Sequence, residues 1–193
     1  MTCTNILIYI KMPSIVVVGN GPSVLNNKLG ELIDSFDEVV RINHYIPMKE
    51  YSGEKVTIYC TSTWATKFYQ EIPKLAKEIL IWDEIACKKC VYDKFAQTKY
   101  IDTTHIKKYL ETTHGFKTHP KTPWASTGIS LLMYLIQENK FDKIFIVGFD
   151  NLKRNTQRHY FDNTDFIGIS THSSDLEKKF IDYYIEKGIL VKL

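Results

Sequence analysis

The residue types best suited to chemistry stand just past apolar runs. In "VVVGNGPSVL" (residues 16–25), Gly19, Asn20, Gly21 and Ser23 follow a β-branched run and precede a helical pattern. A glycine-bearing turn between strand and helix offers backbone N–H groups to a phosphate. Asn43 and Asp150 hold the equivalent position after the runs ending at Ile42 and Val147. Asparagine tolerates left-handed backbone and carries both a donor and an acceptor. Ser126, Thr127 and Gly128 open an apolar helical segment. Its first N–H groups suit an anion or a ribose, or serve only as a serine-capped helix start. The chemistry these residues share is the holding of a phosphorylated, nucleotide-like molecule.

A dinucleotide is the first candidate, and the fingerprint argues against it. G-x-G-x-x-G needs a third glycine where Val24 stands. The acidic residue expected about twenty positions on, for the ribose hydroxyls, is also missing. Arg41 lies near that place and would suit the extra phosphate of NADP. Pro22 lacks an N–H and gives the phosphates one donor fewer. The pair Cys87 and Cys90 in "CKKC" has metal or redox spacing, but no second pair or nearby histidine completes a ligand set.

These residues need strands and helices to position them. Apolar, β-branched runs predict strands over 15–18, 39–42, 55–60, 79–82, 143–147 and 189–192. Leu25, Leu29, Leu32, Ile33 and Phe36 recur at helical spacing and predict a helix over 24–35. Further helices are expected near 102–112, 128–138 and 174–187. Residues 84–123 are otherwise irregular, and "HGFKTHPKTPWASTG" reads as a long loop. Strands alternating with helices imply βαβ units. The expected fold class is α/β: a single Rossmann-like domain, its mostly parallel sheet flanked by helices. Ligands then bind beyond the carboxyl ends of the strands, where Asn20, Asn43 and Asp150 lie. The domain is read as residues 12–193, with 1–11 a doubtful extension.

Composition narrows the classes. Of 193 residues, 44% are hydrophobic and 24% charged, which is ordinary for a globular protein. A net charge of +3 suits an anionic small ligand, and no basic run is long enough to track nucleic acid. The longest N-terminal apolar run, Ile6–Ile10, is too short for a membrane span or a signal-peptide core. Four cysteines do not make a disulfide scaffold, so a reducing, cytoplasmic setting is expected.

Four separated segments, in order, resemble the motifs of sialyltransferases. "IVVVGNGPSVLNNKLGELIDSFDEVVRIN" (15–43) is similar to the long first motif, its "GNGPS" turn being closest to bacterial forms. "STGISLLMYLIQENKFDKIFIVGFD" (126–150) is similar to the second, "HYFD" (159–162) to the third and "HSSDLE" (172–177) to the fourth. Neither long segment contains cysteine, so the bridge that joins them in the animal enzymes is absent. A bacterial-like or viral version is expected.

The resemblance implies a variant glycosyltransferase A-type fold and a CMP-sugar donor, with no metal or cofactor. It implies inverting transfer of sialic acid to a hydroxyl of a glycan or glycolipid. Peripheral membrane contact fits such an acceptor. A CMP-linked Kdo or other nonulosonic acid stays open, as does a nucleotide-binding module without catalysis. No D-x-D triplet is present to hold a cation on a diphosphate.

His172 is the expected general base, with His159 and Tyr160 donating to the leaving phosphate. Gly19, Asn20, Gly21, Ser23, Asn43, Ser126, Thr127, Gly128 and Asp150 are expected at the donor nucleotide, supported by Arg41 and Glu177. Ser174-x-x-Glu177 reads as a capping box. That sets His172 at a helix N-terminus, whose dipole disfavours imidazolium. Lys153, Arg154 and Arg158 lie in the "HYFD" loop and could add charge. Trp124 packs on a base or fills the core.

Overall fold

A computed structural model describes residues 12–62, 75–82, 97–101, 103–116, 124–150, 159–161 and 172–193. Their strands form one sheet: β1 (Ile15–Val18), β2 (Glu38–Ile42), β3 (Ile58–Ser62), β4 (Glu78–Trp82), β5 (Thr98–Ile101), β6 (Ile144–Val147) and β7 (Leu190–Lys192). The order across the sheet is β5-β4-β3-β2-β1-β6-β7, and every neighbouring pair is parallel. β1 is buried along its whole length. An unbroken Ile-Val-Val-Val run is what a central parallel strand, covered on both faces, requires.

The two faces carry different cores. Ile15, Val17, Val40 and Ile42 point into the larger one, which helices α2 (Thr103–His114), α3 (Thr127–Glu138) and α4 (Ser174–Glu186) cover through Ile106, Leu110, Leu131, Phe180 and Ile181. Val16, Val18 and Val39 point the other way, against Val24, Ile33 and Phe36. Each such side chain contributes about 1.5–3 kcal/mol when fully buried. Alternate residues of the same strands thus clamp helices onto both faces.

Most elements lie where the hydrophobic period puts them. The first helix is an exception. Instead of one helix over 24–35 there is a 3-10 turn, Pro22–Asn26, and a short α-helix, α1 (Gly30–Ser35). Asn27 between them is extended, and Leu32 is 46% exposed rather than core. Two adjacent asparagines compete with the helical backbone. Gly30 restarts the helix where the following loop crosses: a Cβ there would lie 1.8 Å from the Lys49 carbonyl oxygen. Strand β5 was not expected. Its sequence, TKYI, buries only Ile101, so an edge strand leaves no alternating signal.

Registry sets the site. Val18 lies opposite both Arg41 of β2 and Val147 of β6, so these three strands end level. The order of connection reverses between β1 and β6. That switch point opens a crevice at the carboxyl ends of open parallel sheets.

Candidate functional site

At the switch point the β1 and β6 loops press together backbone to backbone. The Gly19 N–H donates to the Val147 carbonyl (2.8 Å) and the Gly21 N–H to that of Gly148 (2.9 Å). A Cβ on Gly19 would lie 2.4 Å from the Gly148 oxygen, and one on Gly21 2.3 Å from Asp150 Oδ2. Gly148 has φ +73°, and a Cβ there would meet Val24 and Gly19 at 2.5 and 2.6 Å. Asp150 Oδ2 accepts the Ser23 N–H (2.7 Å) at the start of the 3-10 turn. The N–H groups of Gly19, Gly21 and Ser23 are therefore spent inside the protein. These glycines serve close approach of two loops, a correction to their reading as an open phosphate turn.

Asn20 is different. Its Nδ2 donates to the carbonyls of Ile42 (2.8 Å) and His44 (2.7 Å). Two carbonyl partners fix which end of the amide is nitrogen, so Oδ1 points the other way. Oδ1 is buried and accepts no hydrogen bond from the chain. Such an acceptor costs about 1–3 kcal/mol unless a donor meets it. The Asn20 carbonyl accepts the Tyr160 N–H (2.9 Å), which joins the 159–161 segment to the same loop.

Three expected contributors turn out to hold the scaffold. Asn43 adopts φ +50°, and its Oδ1 accepts the Ser62 N–H (3.1 Å) and the Thr61 hydroxyl (3.4 Å). It shapes the exit from β2. The Tyr160 hydroxyl donates to the Ile46 carbonyl (2.5 Å) and accepts the Ile46 N–H (3.2 Å). Its single proton is committed, and burial raises its pKa. Arg41 is fully buried, its Nε donating to the Lys55 carbonyl in the loop after β2. The His159 ring stacks on Phe161 (centroids 5.0 Å apart), whose edge meets His44 (4.8 Å).

A second set of contacts joins residues 124–126 to 172–177. Trp124 and His172 form a short parallel bridge, and His172 Nδ1 lies 2.9 Å from the Trp124 carbonyl oxygen. A carbonyl only accepts, so Nδ1 carries the proton and the neutral ring keeps its lone pair on Nε2. That is the tautomer of a general base. The α4 N-cap is Ser173, whose Oγ accepts the Leu176 N–H (3.3 Å). The capping box is thus displaced: Ser174 is already helical, and Glu177 is not its partner. Instead Glu177, 4% exposed, reaches across so that Oε1 accepts the Ser126 N–H (3.1 Å). Burial pushes its pKa up to about 7 against the opposing effect of the Ser126 hydrogen bonds.

Ser126 caps α3 in turn, its Oγ accepting the Ile129 N–H (3.3 Å). Thr127 and Gly128 form the first turn. A Cβ on Gly128 would lie 2.9 Å from Phe149 Cε1, and one on Gly19 would lie 3.2 Å from Phe149 Cδ2. The Phe149 ring therefore lies against both loops and brings the α3 N-terminus beside the switch point. Sequence reasoning assigned no role to Phe149, to the His44 carbonyl or to the Trp124 carbonyl. Main-chain carbonyls leave no residue-type signal. The phenylalanine was legible only as part of "GFD".

Cys60 is buried, and burial pushes its thiol up to about 12, which leaves it inert. Cys87, Cys90, Lys153, Arg154 and Arg158 lie outside the described residues. Among the described residues no helix is long and apolar enough to cross a membrane.

Comparison with known proteins agrees with this geometry. Residues 11–81 match the family model of glycosyltransferase family 29 (sialyltransferase). The match covers the amino-terminal part of the chain, from before β1 into β4. A mammalian sialyltransferase in complex with Gal-beta-1-3GalNAc-ortho-nitrophenol superposes with a TM-score of 0.68 at 16% identity, covering 94% of this chain and 69% of that one. Sialyltransferase CstII from Campylobacter jejuni, in complex with CMP-3FNeuAc, gives 0.65 at 18% identity, over 94% and 82% of the two chains. The monofunctional alpha-2,3-sialyltransferase Cst-I from the same organism gives 0.64 at 18%, over 98% and 79%. No curated protein matches the chain. The likeness to sialyltransferases and the parallel α/β fold both stand.

Proposed function

We propose that the chain is an inverting, metal-independent sialyltransferase that uses CMP-sialic acid, with His172 as general base. The observation that carries this reading is the 2.9 Å contact of His172 Nδ1 with the Trp124 carbonyl, two residues before the α3 N-cap. It leaves Nε2 basic beside a helix start suited to an anion. In the reaction, Nε2 takes the proton of an acceptor hydroxyl. The hydroxyl oxygen bonds to the anomeric carbon from the face opposite CMP. The bond from that carbon to the phosphate oxygen breaks, and CMP leaves with the electron pair.

Positive charge grows on the sugar and negative charge on the phosphate. The N–H groups of Thr127 and Gly128, with His159, are the groups proposed to meet that phosphate. Asn20 Oδ1 takes a donor from the nucleotide or its ribose. Tyr160 and Asn43 act indirectly, by holding the loops on which Asn20 sits. The acceptor is a glycan or glycolipid hydroxyl.

The test is release of CMP from CMP-sialic acid with excess EDTA present, run beside CMP-Kdo and UDP-sugars. Turnover of CMP-sialic acid is expected. Preference for CMP-Kdo would transfer the reading to another nonulosonic acid. Binding of CMP without turnover on any donor or acceptor would make the chain a nucleotide-binding module. Stabilisation by NADP but not by CMP would overturn the proposal.

A further inference from the structure

Arg41 is a charged side chain that the fold buries completely. Across the sheet, Val147, Val18, Arg41, Tyr59 and Ile79 stand side by side in register. Four are apolar or aromatic, and the fifth is a fully buried guanidinium. Its Nε donates to the Lys55 carbonyl (3.1 Å), while Nη1 and Nη2 donate to nothing among the described residues. The Tyr45 ring lies 5.4 Å from the guanidinium carbon, which offsets part of the charge.

Among the described residues no carboxylate pairs with it. Asp34 acts on Arg41 only at a distance, its oxygens held by the N–H groups of Glu54 and Lys55 (2.9–3.0 Å). Lys55 Nζ is turned to the carbonyls of Asp34 and Phe36. Burial lowers the Arg41 pKa. A guanidinium nevertheless stays protonated in proteins, so the charge cannot be shed. Buried charge without a partner is strongly destabilising. A water would satisfy the N–H groups but not the charge.

We propose that Nη1 and Nη2 of Arg41, beneath β2 and beside Tyr45, form an internal site for a small monovalent anion of halide size. Enclosure sets the size. Arg41 and Tyr59 are fully buried, and Tyr45 and Tyr160 are 5% exposed, which excludes a nucleotide or a sugar. The site meets the loop after β2 through Tyr45, and Tyr160 ties Ile46 of that loop to Asn20.

Melting of the full chain in sodium chloride or bromide, against sodium gluconate at equal ionic strength, tests this. At a hundredfold excess over the dissociation constant, a rise of roughly 5–10 °C is expected for a protein of this size. Arg41→Met should melt at a temperature independent of halide. Equal melting in halide and gluconate would overturn the proposal. Crystals of the unaltered chain grown in bromide decide the matter even if the variant does not fold. An anomalous peak within hydrogen-bond reach of Nη1 and Nη2 is expected, and a water there without anomalous signal would sink the site.

Discussion

Two junctions near the carboxyl ends of the strands hold the candidate site, and they are built on different physics. At the β1–β6 junction, Gly19, Gly21 and Gly148 let backbones touch, and the N–H groups of Gly19, Gly21 and Ser23 are answered by carbonyls or by Asp150. At the junction of 124–126 with 172–177, two titratable side chains each hold a backbone group by one atom. His172 uses Nδ1 on the Trp124 carbonyl, and Glu177 uses Oε1 on the Ser126 N–H. The first junction is a rigid hinge-pin that sets geometry. The second keeps a nitrogen and a carboxyl oxygen that can change protonation. Phe149 lies between the two, against both Gly19 and Gly128.

The comparison breaks most visibly at His172. His172→Ala should lower turnover by about 10²–10⁴-fold while CMP affinity, read by calorimetry, stays within about threefold. Equal loss of both would place His172 in binding rather than in proton transfer. On the rigid side, Gly148→Ala combines left-handed strain with a Cβ 2.5 Å from Val24. A loss of about 4 kcal/mol of stability is expected from urea denaturation. An unchanged midpoint would mean the β1 and β6 loops are not in contact.

Glu177 sharpens the contrast through pH. Its folded-state pKa of about 7 lies above the ordinary 4.5, so the native state binds more protons between those values. Its contribution is fully present below pH 4.5 and is lost as pH rises through 7, by up to about 3 kcal/mol. Glu177→Gln should therefore flatten the fall in melting temperature between pH 5 and pH 8. If wild type and variant keep the same slope, the carboxyl is not buried as described. The smallest expected effect is at Asn20. Asn20→Ala removes one buried acceptor for the nucleotide, and CMP should bind about tenfold more weakly. Unaltered CMP affinity would leave Asn20 as a loop tie alone.

Much of this was legible beforehand. The runs at 15–18 and 144–147 were read as parallel strands because covering both faces demands uninterrupted apolar residues. The resemblance of four ordered segments pointed to the sialyltransferases, and the family match over 11–81 and the fold agree. The errors have physical sources. Leu25, Leu29 and Leu32 have helical spacing, but Asn26 and Asn27 interrupt the helix they suggest. Ser174-x-x-Glu177 has capping-box spacing, yet Ser173 one position earlier takes the cap.

The sequence by itself determined the strand cores, the α/β class and the residue types gathered past the strand ends, because hydrophobic period and chain order are local properties. Only tertiary structure decided what each polar group does. Glycine spacing in "GNG" is the same whether its N–H groups face a phosphate or the Gly148 carbonyl. Arg41 reads as a strand-end cation until registry buries it between Val18 and Tyr59. His172 takes a defined tautomer through a carbonyl 48 positions away along the chain. Such partners belong to the main chain of distant segments, and no pattern of residue types announces them.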